Sequence, residues 1–208
     1  MAEPICRGDV VLVDGLGQGW VSASIALGAT LRLGRANPYA RWTHIALVYD
    51  VHHQNAESIS IVEARAGSGV HKAFLSKYER HYAVVHTHVA PHDWEQVEKF
   101  LDEVLRARER YDFVAYAGLF LYAVTGTRLC IQRAGTATCS GLVADALTRA
   151  GVVWSRPPYA MTPAGIASDL AKLGCPITMM VTGPAKTTAW GRAGEFVGGA
   201  LARVLAPR

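Results

Sequence analysis

The 208-residue chain predicts an α+β fold, an antiparallel sheet packed against helices. Three observations carry that expectation. Strand-like apolar runs fall at residues 10–13, 45–49, 58–64 and 81–89, the last of them alternating. Apolar residues at helical spacing govern the stretches after Pro91, Thr138 and Thr162. The strands crowd the first half and the helices the second, which is not the strict β-α alternation of a parallel sheet.

Taken in order, Gly8-Asp9 reads as a turn, with Asp9 capping it, and the Val10-Val11-Leu12-Val13 run as a short buried strand. Residues 14–40 begin Gly-rich and then place Ile25, Leu27, Leu31 and Leu33 among small residues, as either a short helix or a covering loop. Gly15, Gly17 and Gly19 lack the spacing and the trailing Gly-Lys-Ser/Thr of a phosphate loop, so a flexible loop is the expectation. Trp42-Thr43-His44 leads into a strand, and the polar residues 51–57 separate it from a second one at 58–64. Gly67-Ser68-Gly69-Val70 reads as a turn, and residues 81–89 as a third strand. Pro91 opens a helix capped by Asp93 or a neighbour, with Val97, Phe100, Leu101, Val104 and Leu105 as its core face. Residues 111–124 are expected to be a mostly buried helix or helical pair. A helix from Cys139 closes at Gly151, another opens at Thr162-Pro163, and a last strand spans 177–182. Residues 1–182 form the expected domain. Residues 183–208 look appended, as a packing segment or an interaction or membrane-surface helix.

Composition narrows the function. Half the residues are apolar, ample for a core. The net charge is +4, with Lys and Arg scattered and densest at Arg106, Arg108 and Arg110, which reads as a solvated helix face; no nucleic-acid partner is expected. The four cysteines, Cys6, Cys130, Cys139 and Cys175, form no CxxC pair. His86 and His88 share a strand face without a third ligand, so neither a metal nor another cofactor is expected. The start of the chain has no basic segment followed by an apolar run. The best apolar stretch, residues 113–124, is about 12 residues against the roughly 20 a membrane span needs. A reducing, cytoplasmic setting with free thiols is the default expectation.

The chemistry centres on Cys139. Thr138 is a good N-cap, and Leu142, Val143, Ala146 and Leu147 form the apolar stripe of the helix that follows. A cysteine at that position feels the positive helix end, which favours the attacking thiolate. A hairpin centred near His53 and Gln54 would set His44 directly opposite Glu63, on one face with Ala46, Val48, Ile59 and Ile61. Cys6, Cys130 and Cys175 read as structural thiols. Trp42 and Tyr111 either line a substrate cleft or pack in the core.

Gly8-Asp9-Val10-Val11-Leu12, Thr43-His44-Ile45-Ala46-Leu47-Val48-Tyr49, Val62-Glu63-Ala64 and Thr138-Cys139-Ser140-Gly141-Leu142-Val143 together resemble the NlpC/P60 superfamily of papain-like cysteine hydrolases. That family has a Cys-Ser-Gly-Leu-Val helix start, a Gly-Asp strand and a His-Val-Gly-Ile-Tyr strand. Here the Gly-Asp and His strands precede the cysteine helix. The order resembles the circularly permuted, YiiX-like branch, related to the lecithin:retinol acyltransferase group. The likeness covers roughly residues 7–151. It implies a permuted papain-like fold with Cys139 as nucleophile, His44 as base and Glu63 as the residue orienting His44. Thr138 stands where the family usually has Asp or Glu, and Ala46 where it has Gly.

The expected function is a cysteine hydrolase that cleaves an amide, peptide or isopeptide, through a thioester, with the Cys139 backbone N–H as oxyanion donor. Its partner would be a peptide or acyl substrate; membrane contact is not indicated. Two alternatives stand beside it: a lipid acyl hydrolase or acyltransferase, and a non-catalytic binding module on the same fold.

Overall fold

The computed structural model describes residues 3–14, 37–78, 82–115 and 133–179, with single positions at 30, 34, 117, 118 and 121. Expectations for the glycine loop, the apolar residues 25–33, Cys130, most of the helix after Tyr111 and the segment 183–208 lie outside the described residues.

The centre is a six-stranded antiparallel sheet of β1 (Val10–Asp14), β2 (Trp42–Val51), β3 (Ile59–Arg65), β4 (Gly69–Phe74), β5 (Tyr82–Val85) and β8 (Ile177–Met179). They lie in the order β4-β3-β2-β1-β5-β8. β6 (Arg110–Tyr111) and β7 (Thr136–Ala137) form a separate parallel pair. The helices are α1 (Pro91–Ala107), α2 (Cys139–Arg149) and α3 (Pro163–Lys172), with 3-10 turns at Leu75–Tyr78 and Pro158–Ala160.

Alternation sorts the sheet into two apolar faces. Val10, Leu12, Ile45, Leu47, Val62 and Ala64 meet the helices, where Leu142, Val143 and Leu147 of α2 join them. Each fully buried side chain of that size contributes about 1.5–3 kcal/mol. Val11, Ala46, Val48, Ile59 and Ile61 face the other way and pack with Leu75 and Tyr78. Ala46, Val48, Ile59 and Ile61 thus share a face as expected.

The β2–β3 register differs from the expected one. Leu47 pairs with Val62 and Val48 with Ile61, and an irregularity between Val48 and Asp50 shifts the ladder beyond them. Continued toward the site, this register puts Glu63 level with Ala46, two residues along from His44. A displacement of two preserves the face, where one would have reversed it. His44 and Glu63 therefore meet diagonally, within reach of long side chains.

A second irregularity falls in β2 beside His44. Val13 pairs with His44 but Asp14 with Trp42, leaving Thr43 as the extra residue. The alternation breaks there, so Trp42 packs among the helix-side residues with Ile45 and Leu47. Thr43 is buried, and its hydroxyl has no hydrogen-bond partner among the described residues.

Other expectations need correction. The turn after β3 ends at Ser68, and Gly69 and Val70 begin β4, a strand whose exposed Lys72 and Phe74 obscure its alternation. Gly69 has φ +69, and a Cβ there would lie 2.4 Å from the Glu109 carbonyl oxygen, so only glycine lets β4 make that approach. The third strand stops at Val85, because the chain turns away through His88 at φ 51. Ala90 occupies the N-cap of α1 without a side-chain bond; Asp93 sits in the first turn. Residues 113–115 are helical, but Phe113 and Val114 start that stretch exposed rather than buried. Among the described residues, no helix is long and apolar enough to cross a membrane.

Candidate active site

The first turn of α2 is built by its own sequence. Thr138 takes an extended conformation, and its hydroxyl accepts the Gly141 N–H at 3.0 Å. A Cβ at position 141 would sit 2.9 Å from that hydroxyl, so the glycine leaves room for the cap. Ser140 turns inward and donates to the Met161 carbonyl at 2.7 Å, tying α2 to the segment before α3. Cys139 is the first helical residue, so its N–H has no acceptor within the helix. Asp112 fixes the approach to this turn: it accepts from the Thr136 hydroxyl at 2.6 Å and from the Ala115 N–H at 2.8 Å, while its own N–H bonds the Ala137 carbonyl at 3.0 Å. Sequence reasoning missed Asp112, because Thr136 and Ala137, to which it ties its own segment, lie over twenty residues away.

His44, Glu63 and Cys139 are brought together. His44 Nε2 lies 2.6 Å from Glu63 Oε2, and Cys139 is near enough to the ring to raise its pKa. With Nε2 engaged by the carboxylate, Nδ1 is the ring nitrogen that remains. His44 stands where the alternation of β2 breaks, and its partners come from both sides of the sheet: Tyr78 packs on one face and Cys139 on the other. Cys139 is buried, while the His44 side chain keeps 14% of its surface exposed and marks the side open to solvent.

Burial by itself would lower the His44 pKa. The hydrogen bonds and charges of Cys139 and Glu63 outweigh it and raise the pKa to about 9. Burial would likewise raise the Glu63 pKa, but the bonds from His44, Lys77 and Tyr78 hold the carboxyl well below the usual range. The Tyr78 hydroxyl is pushed far up by burial and by the Glu63 charge.

Glu63 is completely buried and has three partners the sequence did not signal. The Lys77 ammonium donates to Oε1, the Tyr78 hydroxyl donates to Oε2, and His71 Nε2 lies 3.0 Å from Oε1. His71 Nδ1 meets the Gly69 carbonyl at 3.1 Å. Lys77 and Tyr78 come from a single 3-10 turn, an element no periodicity announces.

Trp42 and Tyr111 are core residues here. Trp42 is 3% exposed with the Arg41 guanidinium 4.8 Å over its ring; Tyr111 is 8% exposed and packs edge-on against Phe113. A cleft of about 450 Å³ flanks the first turn of α2, lined by Phe100, Glu109, Arg133, Thr138, Asp145 and Tyr159 among others; neither Cys139 nor His44 lines it. Burial raises the Glu109 and Asp145 pKa values, Asp145 adding to the effect on Glu109. Asp9 caps its turn as expected, accepting the Cys6 N–H at 2.8 Å, and also holds the Thr87 N–H at 3.1 Å and His86 Nδ1 at 3.0 Å. Cys6, Cys139 and Cys175 are free thiols. Among the described residues, no three His, Cys, Asp or Glu side chains gather as a metal-ligating set. Compared with family models and with curated proteins, the sequence matches none.

Proposed function

We propose that the protein is a cysteine hydrolase of the permuted papain-like kind, cleaving a peptide or isopeptide amide through a thioester with Cys139, His44 and Glu63. One observation carries the reading: a single imidazole bonds a fully buried carboxylate 2.6 Å away and has beside it, near enough to shift its pKa, a cysteine at a helix N-terminus. A merely structural histidine has no need of a thiol beside it.

In this mechanism His44 holds the proton of Cys139, giving a thiolate–imidazolium pair at neutral pH, consistent with a His44 pKa raised to about 9. Glu63 orients the ring through Nε2 and stays ionised. The thiolate attacks the amide carbonyl, forming the C–S bond. The Cys139 N–H, with no helical acceptor, faces the developing oxyanion. His44 passes its proton to the leaving nitrogen as the C–N bond breaks. Water, deprotonated by His44, then cleaves the thioester and regenerates the thiol.

The test is differential alkylation at neutral pH, read residue by residue by mass spectrometry. Cys139 is expected to react with iodoacetamide faster than Cys6 and Cys175 despite its burial. Equal or slower labelling of Cys139 sinks the nucleophile and leaves a binding module. Acyl adducts trapped on Cys139 then separate amide from lipid chemistry, because peptidyl and fatty-acyl masses differ.

A further inference from the structure

A carboxylate offers about four lone-pair sites, and Glu63 fills all of them. Oε2 takes His44 and the Tyr78 hydroxyl; Oε1 takes the Lys77 ammonium and His71. The proposed chemistry uses only the first of these contacts. An orienting acid needs no ammonium, so Lys77 requires its own explanation.

Charge supplies one. A buried carboxylate with only His44 to neutralise it would stabilise the imidazolium strongly, since Coulomb attraction is weakly screened there. Such an imidazolium is a reluctant acid toward a leaving nitrogen. A second cation on Oε1 and a hydroxyl donor on Oε2 draw off part of that charge. We propose that Lys77 and Tyr78 are positioning residues of the triad, which temper the stabilisation that Glu63, bonded at Nε2, gives the His44 imidazolium, so that the proton on Nδ1 can be delivered to the leaving group. The inference rests on the triad reading. Both residues come from one 3-10 turn, so a single short element sets the charge seen by the imidazole.

Among the described residues, the titratable and charged groups facing this cluster are His44 on β2, Glu63 and Arg65 on β3, His71 on β4, Lys77 and Tyr78 on the turn, and Cys139 on α2. Among them Lys77 is the cation bonded directly to Glu63 whose charge does not depend on an imidazole.

The experiment follows the His44 ring by ¹⁵N NMR titration in the full chain, as wild type, Lys77→Met, Lys77→Arg and Tyr78→Phe. The wild-type midpoint is expected at about 9. Lys77→Met should move it up by about one pH unit, Lys77→Arg should keep it within roughly 0.3, and Tyr78→Phe should move it up by less than Lys77→Met. A structural role gives the opposite sign, because a loosened site lets His44 fall back toward its ordinary value. An unmoved or lowered midpoint in Lys77→Met overturns the proposal. Should that variant fail to fold, Tyr78→Phe decides in the same way. A wild-type midpoint near the ordinary histidine value fails the triad reading itself, a result distinct from either.

Discussion

Two buried carboxylates in this molecule each hold a histidine, and they do different things. Asp9 meets His86 Nδ1 at 3.0 Å, and His86 Nε2 lies 3.0 Å from the Thr178 hydroxyl. Both ring nitrogens are spent and the ring is shut from solvent. The pair staples β1, β5 and β8. Glu63 meets His44 Nε2 at 2.6 Å, and Cys139 lies near enough to the ring to raise its pKa. The carboxylates differ as well. Burial raises the Asp9 pKa despite its hydrogen bonds, whereas His44, Lys77 and Tyr78 overcome burial at Glu63 and lower it. Among the described residues Asp9 has no lysine or arginine ion pair. Under the proposed function, a carboxylate–histidine pair is a staple or part of a reactive set according to what else lies against the ring and whether a further cation balances the charge.

Exchanging the two histidines for alanine breaks the comparison most sharply. His44→Ala should slow alkylation of Cys139 at neutral pH by about 100-fold or more. His86→Ala should leave that rate within roughly two-fold, measured on folded protein. Equal losses would mean that the two pairs are not functionally separate.

Stability should divide the other way. Asp9→Ala leaves three buried or half-buried donors without their acceptor and should cost about 3 kcal/mol in urea unfolding, with the Cys139 alkylation rate unchanged. A loss below about 1 kcal/mol would remove the staple from the account.

The smallest effect is in the pH dependence of stability. The folded pKa of His44 lies above its ordinary 6.5, so its contribution is complete below pH 6.5 and is lost as pH rises through about 9. The decline should be on the order of 1–3 kcal/mol. Glu63 has the opposite sign: its contribution is present above 4.5 and is lost as pH falls through its depressed folded value. Glu63→Gln should flatten the alkaline decline, while Asp9→Asn should retain it. An alkaline limb unchanged in Glu63→Gln would assign the decline elsewhere.

What was legible in the sequence was local or periodic. Thr138, Cys139 and Gly141 announce a capped helix start within four residues, and the structure builds it that way. The shared face of His44 and Glu63 followed from alternation, even though the register was displaced by two. Lys77, Tyr78 and His71 were not legible. One edge strand and one 3-10 turn deliver them, and neither has a pattern that marks what it points at. Asp112 escaped for a related reason: its carboxylate joins two segments that the chain separates by more than twenty residues. Trp42 was read as either lining a cleft or packing in the core, and alternation gave no warning of the extra residue at Thr43 that sets it on the helix side.

The pairing of β3 has a consequence for how the chain tolerates changes in length. The connection between β2 and β3 spans residues 52–58 and is exposed over most of its course. The register of β3 does not depend on this loop: β3 is paired to β2 on one side and β4 on the other, and its side chains are buried on both faces. A residue added among the exposed positions is therefore expected to lengthen the loop and leave Glu63 beside His44, Lys77 and Tyr78.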